Sequence, residues 1–139
     1  MKGIVIDAPV ALAWCFPDEV SDYAETVLLA LEKRAAMVPA IWASEITNAL
    51  LVGERRNRLR RPEVLRFVEL LKSMEIFQDV QPVTDTINHV FPLAQEYRLS
   101  AYDAAYLDVA VRRQIPLATL DSNLRKAALA AGIETFNAE

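Results

Sequence analysis

Residues 3–7 read Gly3-Ile4-Val5-Ile6-Asp7, three β-branched apolar residues in a row closed by one acid. So short a run, apolar at every position, is the pattern of a strand buried on both faces of a parallel sheet. A second run, Leu117-Ala118-Thr119-Leu120, closes on Asp121 in the same way. Strand-like stretches therefore fall at 3–6 and 116–120, with others at 133–136, in part of 76–83, and more weakly at Met37-Val38. Helical patterns lie between them. Asp18-Glu19-Val20 opens one, with Ala24, Val27, Leu28 and Leu31 at three- and four-residue spacing. Pro39 suits the first turn of the next, which runs to an arginine cluster, and Pro62 starts a third with Val64, Leu65, Val68, Leu71 and Met74 as its stripe. Thr84 caps a fourth, in which Pro92 predicts a bend or a split. Ser100 caps a fifth through Arg113, and Asp121 or Ser122 a sixth that ends before Gly132. Strands separated by helices need crossover connections. The expected class is α/β, a central mostly parallel sheet covered on both faces in three α/β/α layers.

The chain has 139 residues, a length that favours one domain over 1–139. Hydrophobic residues make up 53% of it, which excludes disorder, while charged positions interrupt every apolar stretch long before membrane-spanning length. The apolar start is too short for a signal peptide, so a cytoplasmic location and no membrane partner are expected. The single cysteine, Cys15, rules out an internal disulfide and a thiolate metal site. Three glycines leave no Gly-rich phosphate loop, and a Ser-His-Asp triad would have to use His89, the one histidine. An enzyme built from this chain works with carboxylates.

Open parallel sheets place their sites at the carboxyl ends of the strands, where Asp7 and Asp121 stand. If the two strands are neighbours, about 5 Å apart, both carboxylates face one crevice. Glu45 shares a helical face with Ile41, Trp42, Asn48 and Ala49, mostly the buried side. Asp103 sits in the first turn of the fifth helix with Tyr106, Leu107 and Ala110 beneath it, although phase alone does not separate it from Asp108. Each acid has an ordinary role open to it: Asp7 and Asp121 as helix caps, Glu45 as an arginine partner, Asp103 as a favourable charge at a helix start. Together they are more telling. Four acids gathered without a cation repel one another, and an oxygen-ligated Mg²⁺ or Mn²⁺ resolves that conflict.

At these residues the sequence resembles the PIN domain family, and within it the VapC-type ribonuclease toxins of bacterial toxin–antitoxin modules. The matching stretches are Val5-Ile6-Asp7-Ala8-Pro9-Val10-Ala11-Leu12, then Pro39 with Glu45-Ile46-Thr47-Asn48-Ala49-Leu50. Leu99-Ser100-Ala101-Tyr102-Asp103-Ala104-Ala105-Tyr106 and Pro116-Leu117-Ala118-Thr119-Leu120-Asp121 complete the match, in order and over essentially the whole length. Carried over by position, the family's acidic quartet is Asp7, Glu45, Asp103 and Asp121, with Thr119 at a hydroxyl position near the metal. The resemblance implies Mg²⁺- or Mn²⁺-dependent hydrolysis of RNA, a homodimer, and a cognate antitoxin that covers the acidic site. One departure stands out: Pro9 occupies the place two residues after the first acid where the family often has Ser, Thr or Asn.

Charge fits this implication once it is apportioned. Removing the four site acids from 19 Asp and Glu leaves 15, which balances 15 Lys and Arg. From Val52 to Arg66 six arginines stand against Glu54 and Glu63, and Arg55, Arg56 and Arg58 are the candidate RNA contacts. A solvated helix end or a face for an acidic partner is the ordinary alternative for that run. A phospho-acceptor receiver domain would need an adjacent acidic pair after the first strand, and a haloacid-dehalogenase-type phosphatase a second Asp at position 9. Neither is present. The remaining rival is a PIN-like domain, catalytically weak because of Pro9, that acts as an RNA- or protein-binding regulatory module.

Overall fold

The computed structural model describes residues 3–137. Its centre is β1 (Ile4–Ile6), whose three side chains are fully buried. β1 pairs in parallel with β2 (Ala36–Pro39) on one side and with β4 (Leu117–Ala118) on the other. β3 (Ile76–Asp79) pairs in parallel with β2, giving the order β3-β2-β1-β4, and a single bridge from Leu117 to Thr135 extends the far edge. All strands are parallel, so all their carboxyl ends lie along one edge.

The connections follow from that order. α1 (Ala8–Leu12) and α2 (Asp22–Ala30) join β1 to β2, and α3 (Ile41–Arg55) and α4 (Arg61–Lys72) join β2 to β3. The chain then reverses across the sheet through α5 (Val83–Tyr97) and α6 (Ala101–Arg113) to β4 and α7 (Ser122–Ala130). Right-handed crossovers put the first group on one face and the second on the other. The helix contacts agree, with α1 against α2 and α3, and α6 against α5 and α7. α6 lies directly over β1 and β2 and is buried along most of its length, which makes it the central helix of its layer. The three-layer α/β/α architecture expected from the sequence is present.

Several boundaries differ from the sequence reading. The Met37-Val38 run, weakest by pattern, is a strand paired on both sides. The 133–136 stretch contributes only the bridge at Thr135. Asp18 and Glu19 do not open a helix. Arg58 draws both into ion pairs, at 3.0 and 2.8 Å, and α2 starts later, where the Ser21 hydroxyl accepts the Ala24 N–H. Pro39 ends β2 opposite Asp79 rather than starting α3. α5 runs unbroken through Pro92, which is exposed, so the carbonyl left without a helical donor can turn to water.

Candidate active site

The carboxyl edge collects the acids by construction. Asp7 follows β1 directly and its N–H donates to the Ala118 carbonyl at 3.3 Å, continuing the β1–β4 ladder. Its side chain is only 3% exposed, with Oδ1 accepting the Val10 N–H at 3.1 Å as the cap of α1. Oδ2 accepts from the Thr119 hydroxyl, itself fully buried. Thr119 Oγ1 in turn accepts the Asp121 N–H at 3.0 Å, and Asp121 caps α7 through Asn123 and Leu124. One hydroxyl thus ties both strand-end acids together. Pro9 offers Asp7 no side-chain donor, and the hydrogen bonds come from Val10 and Thr119. The proline occupies the first turn of α1, where its missing N–H has no helical partner to lose, and Thr119 supplies the hydroxyl.

The helical acids approach from either side. Ser100 caps α6 by accepting the Asp103 N–H at 3.1 Å, which fixes the first turn and holds Asp103 half-buried above the edge. Glu45, half-buried in α3, accepts from the Tyr106 hydroxyl of α6. Burial pushes that phenol up from its ordinary value, with the Glu45 hydrogen bond and the Asp7 charge adding to it. Tyr106, three residues after Asp103, was not singled out from the sequence beyond its place in the motif.

Burial is the main reason the Asp7 carboxyl is raised to about 6, and the charges of Asp103 and Asp121 push further in that direction. Asp103 is raised as well, by burial first and then by Asp121. Asp7, Asp103 and Asp121 therefore lie within mutual electrostatic reach, with Glu45 joined through Tyr106. Among the described residues, no Lys, Arg or His stands within ion-pair distance of any of the four.

Other buried acids are treated differently. Asp79 ends β3 as Asp7 ends β1, yet it pairs with Arg112 and with Arg113 at 2.7 Å. Burial alone would raise Asp79; the two guanidinium groups outweigh it and hold the carboxyl below its usual value. Asp108 pairs with Arg112 at 3.0 Å and accepts from Gln81, whose Oε1 meets His89 Nδ1 at 2.7 Å. The structure thus separates Asp103 from Asp108 where helical phase does not. His89 is exposed and meets Gln81 rather than any of the four acids.

An all-oxygen donor set with unpaired charge suits a hard divalent cation. The side chains do not form a closed cage: among the described residues, no three His, Cys, Asp or Glu groups converge tightly enough to hold an ion unaided. Glu45 accepts from Tyr106 through Oε1 and Asp121 caps its helix through Oδ1, so a cation using those particular oxygens would share them with their present donors.

The family profile of the PIN domain matches residues 4–129. The chain belongs to the PIN domain family. It is 30% identical to Ribonuclease VapC3 of Pyrobaculum aerophilum over 121 residues, 87% of this chain and 91% of that protein. The crystal structure of PAE2754 from Pyrobaculum aerophilum is similar at a TM-score of 0.66 and 23% identity, over 91% of this chain and 79% of the other. That of FitAcB from Neisseria gonorrhoeae gives a TM-score of 0.65 at 20% identity, with 97% of both chains covered. A structure of FitAB bound to a DNA fragment gives 0.66 at 20% identity, over 97% and 94%. The PIN fold of this chain is shared with all three.

The raised carboxyl of Asp7 has a consequence for stability. A group whose folded pKa lies above its unfolded value favours the fold most below about pH 4, and that contribution is lost as pH rises through about 6. Above that point the metal-free PIN domain carries an uncompensated charge worth on the order of 2–3 kcal/mol. Asp7→Asn is expected to melt at a higher temperature than the parent at pH 8 without divalent ions, the difference vanishing below pH 4. Thermal unfolding across that range checks it. Equal melting temperatures at pH 8 would show that Asp7 is not electrostatically burdened.

Proposed function

We propose that this PIN domain is a divalent-metal-dependent endoribonuclease, the toxin of a VapBC-type toxin–antitoxin pair. The observation that carries the reading is the absence of any cationic partner for Asp7, Glu45, Asp103 and Asp121 among the described residues, while Asp79 and Asp108 each have an arginine. The similarity to a ribonuclease over most of its length supports RNA as the substrate.

In this reading Asp7 and Asp103 would hold a Mg²⁺ or Mn²⁺ ion directly, and Glu45 and Asp121 would complete the site. Such an ion, when bound, would supply an acidified water and countercharge for the phosphodiester. The chain's own residues do the orienting. Thr119 fixes Oδ2 of Asp7, Tyr106 holds Glu45, and the α6 cap at Ser100 sets the height of Asp103.

RNA contacts are proposed along α3. That helix leaves the carboxyl edge near Glu45 and reaches Arg55 ten residues later, about 15 Å away at 1.5 Å per residue. Arg55 and Arg56 are exposed and lack an acidic partner among the described residues, so they suit phosphates flanking the cleavage point. Arg58 is committed elsewhere: it pairs with Asp18 and Glu19, and its guanidinium lies 4.3 Å from the Phe16 ring centroid.

A homodimer is proposed through the outer face of α5. Val83, Ile87 and Phe91, one turn apart, are 77%, 58% and 61% exposed, and Phe77 of the edge strand β3 and Val80 just after it are exposed as well. An uncharged stripe of this kind along one helix suits the same stripe on a second copy. No helix among the described residues is long and apolar enough to cross a membrane, so the stripe is not part of a spanning helix. The antitoxin is assigned to the acidic edge, on the strength of the family resemblance.

Asp103→Asn is expected to lower Mg²⁺-dependent cleavage of single-stranded RNA by at least about a hundredfold with an unchanged fold, as befits loss of a charged group at the reacting phosphate. Full activity in that variant would remove Asp103 from the chemistry; a parent protein that binds metal yet never cleaves would favour the regulatory-module reading. Ile87→Asp is expected to convert dimer to monomer by light scattering. A persistent dimer would place the interface elsewhere.

A further inference from the structure

Thr119 carries an unusual load. Its hydroxyl serves Asp7 and Asp121 together, yet it follows a strand of only two residues, flanked outward by a single bridge. Ladder hydrogen bonds alone hold so short a strand loosely, and the residue after it has fewer still. Its carbonyl is instead gripped from α7, where Arg125 Nη2 donates to Thr119 O at 2.6 Å. The Arg125 backbone N–H also donates to the Asp121 carbonyl at 3.0 Å, closing the first turn of α7. One residue thereby holds the carbonyls of Thr119 and Asp121, the two neighbours of Leu120.

The guanidinium is itself braced. It lies 5.4 Å from the ring centroid of Tyr23 in α2. The Tyr23 hydroxyl donates to the Phe136 carbonyl at 2.7 Å, and the two rings meet edge to face at 6.4 Å. Three segments far apart in sequence thus meet at the Thr119 carbonyl.

The charge is placed with some care. Arg125 forms no ion pair with Asp7 or Asp121, and the repulsion that raises Asp7 is not relieved by it. A cation in contact with those carboxylates would compete with a metal ion. Donation to a neutral carbonyl one step removed fixes the backbone and leaves the oxygens charged. A planar guanidinium can stack on a ring and donate in its own plane together, which an ammonium point charge cannot.

We propose that Arg125, braced by Tyr23, is a positioning residue: by holding the Thr119 carbonyl it sets the spacing of Asp7 and Asp121 and so the affinity for a divalent cation. The proposal rests on the metal reading above, and the test separates the two. Amide hydrogen exchange followed by NMR on the metal-free protein reads the clamp; calorimetric titration with Mn²⁺ reads the site. Arg125→Ala is expected to speed exchange at the Asp121 amide about tenfold, the effect of one lost hydrogen bond, while the Val5 and Ile6 amides keep their protection. The same variant is expected to bind Mn²⁺ about tenfold more weakly, with Arg125→Lys restoring part of the affinity. Unchanged exchange at Asp121 overturns the clamp. Faster exchange with unchanged Mn²⁺ affinity, or a Lys variant no better than Ala, overturns the positioning role. A parent protein with no Mn²⁺ heat that Asp7→Asn abolishes overturns the metal reading itself, and the exchange result, independent of metal, shows which of the two failed.

Discussion

A buried carboxylate destabilises a fold unless its charge is compensated, and the rest of this molecule is arranged around how it meets that constraint. At Asp79 and Asp108 the answer is internal: Arg112 and Arg113 from α6 supply the countercharge, and the outer strand is thereby locked to the central helix. At Asp7 no countercharge is supplied. Hydrogen bonds from Val10 and Thr119 soften the burial, and two further acids nearby make it worse. A parallel sheet with every carboxyl end on one edge brings these groups together whether or not the energetics favour it. The fold therefore stores an electrostatic deficit that a bound divalent cation would remove, which would link its stability to its proposed chemistry.

The same geometry explains why backbone elements and site cannot be considered apart. Asp7 ends a strand and caps a helix, and Asp121 caps another immediately after Thr119. Both acids owe their positions to backbone N–H groups that need a partner at a helix start. Tyr106 and Asp103 sit on successive turns of α6, so the helix that covers the sheet also sets the distance from Asp103 to the donor that holds Glu45. Structural and site roles coincide in these residues.

Much of this was legible in the sequence, for identifiable reasons. The apolar run before Asp7, the repeated pattern before Asp121 and the Ser100 cap are local signals, and local signals placed β1, β4, α6 and α7. The α/β layering followed from them. Pattern strength misjudged β2, because Met37-Val38 draws its stability from neighbours on both sides rather than from its own composition. The start of α2 was misplaced because Arg58, 40 residues from Asp18 and 39 from Glu19, holds those acids in a loop. Asp79 was overlooked as a strand-end acid, and its distinction from Asp7 lies in arginines more than 30 residues away. Arg125 escaped notice for a like reason: nothing in its own stretch says that its partners are Thr119 and Tyr23.

The central claim is that Asp7, Asp103 and Asp121, with Glu45 behind Tyr106, surround one divalent-cation position on the carboxyl edge of the sheet. The most direct measurement is anomalous X-ray diffraction at the manganese edge from crystals grown with Mn²⁺. The account predicts an anomalous peak within coordination distance of Asp7 and Asp103 carboxylate oxygens. A peak only at other acids, or none at saturating Mn²⁺ with these carboxylates ordered and ionised, would contradict it.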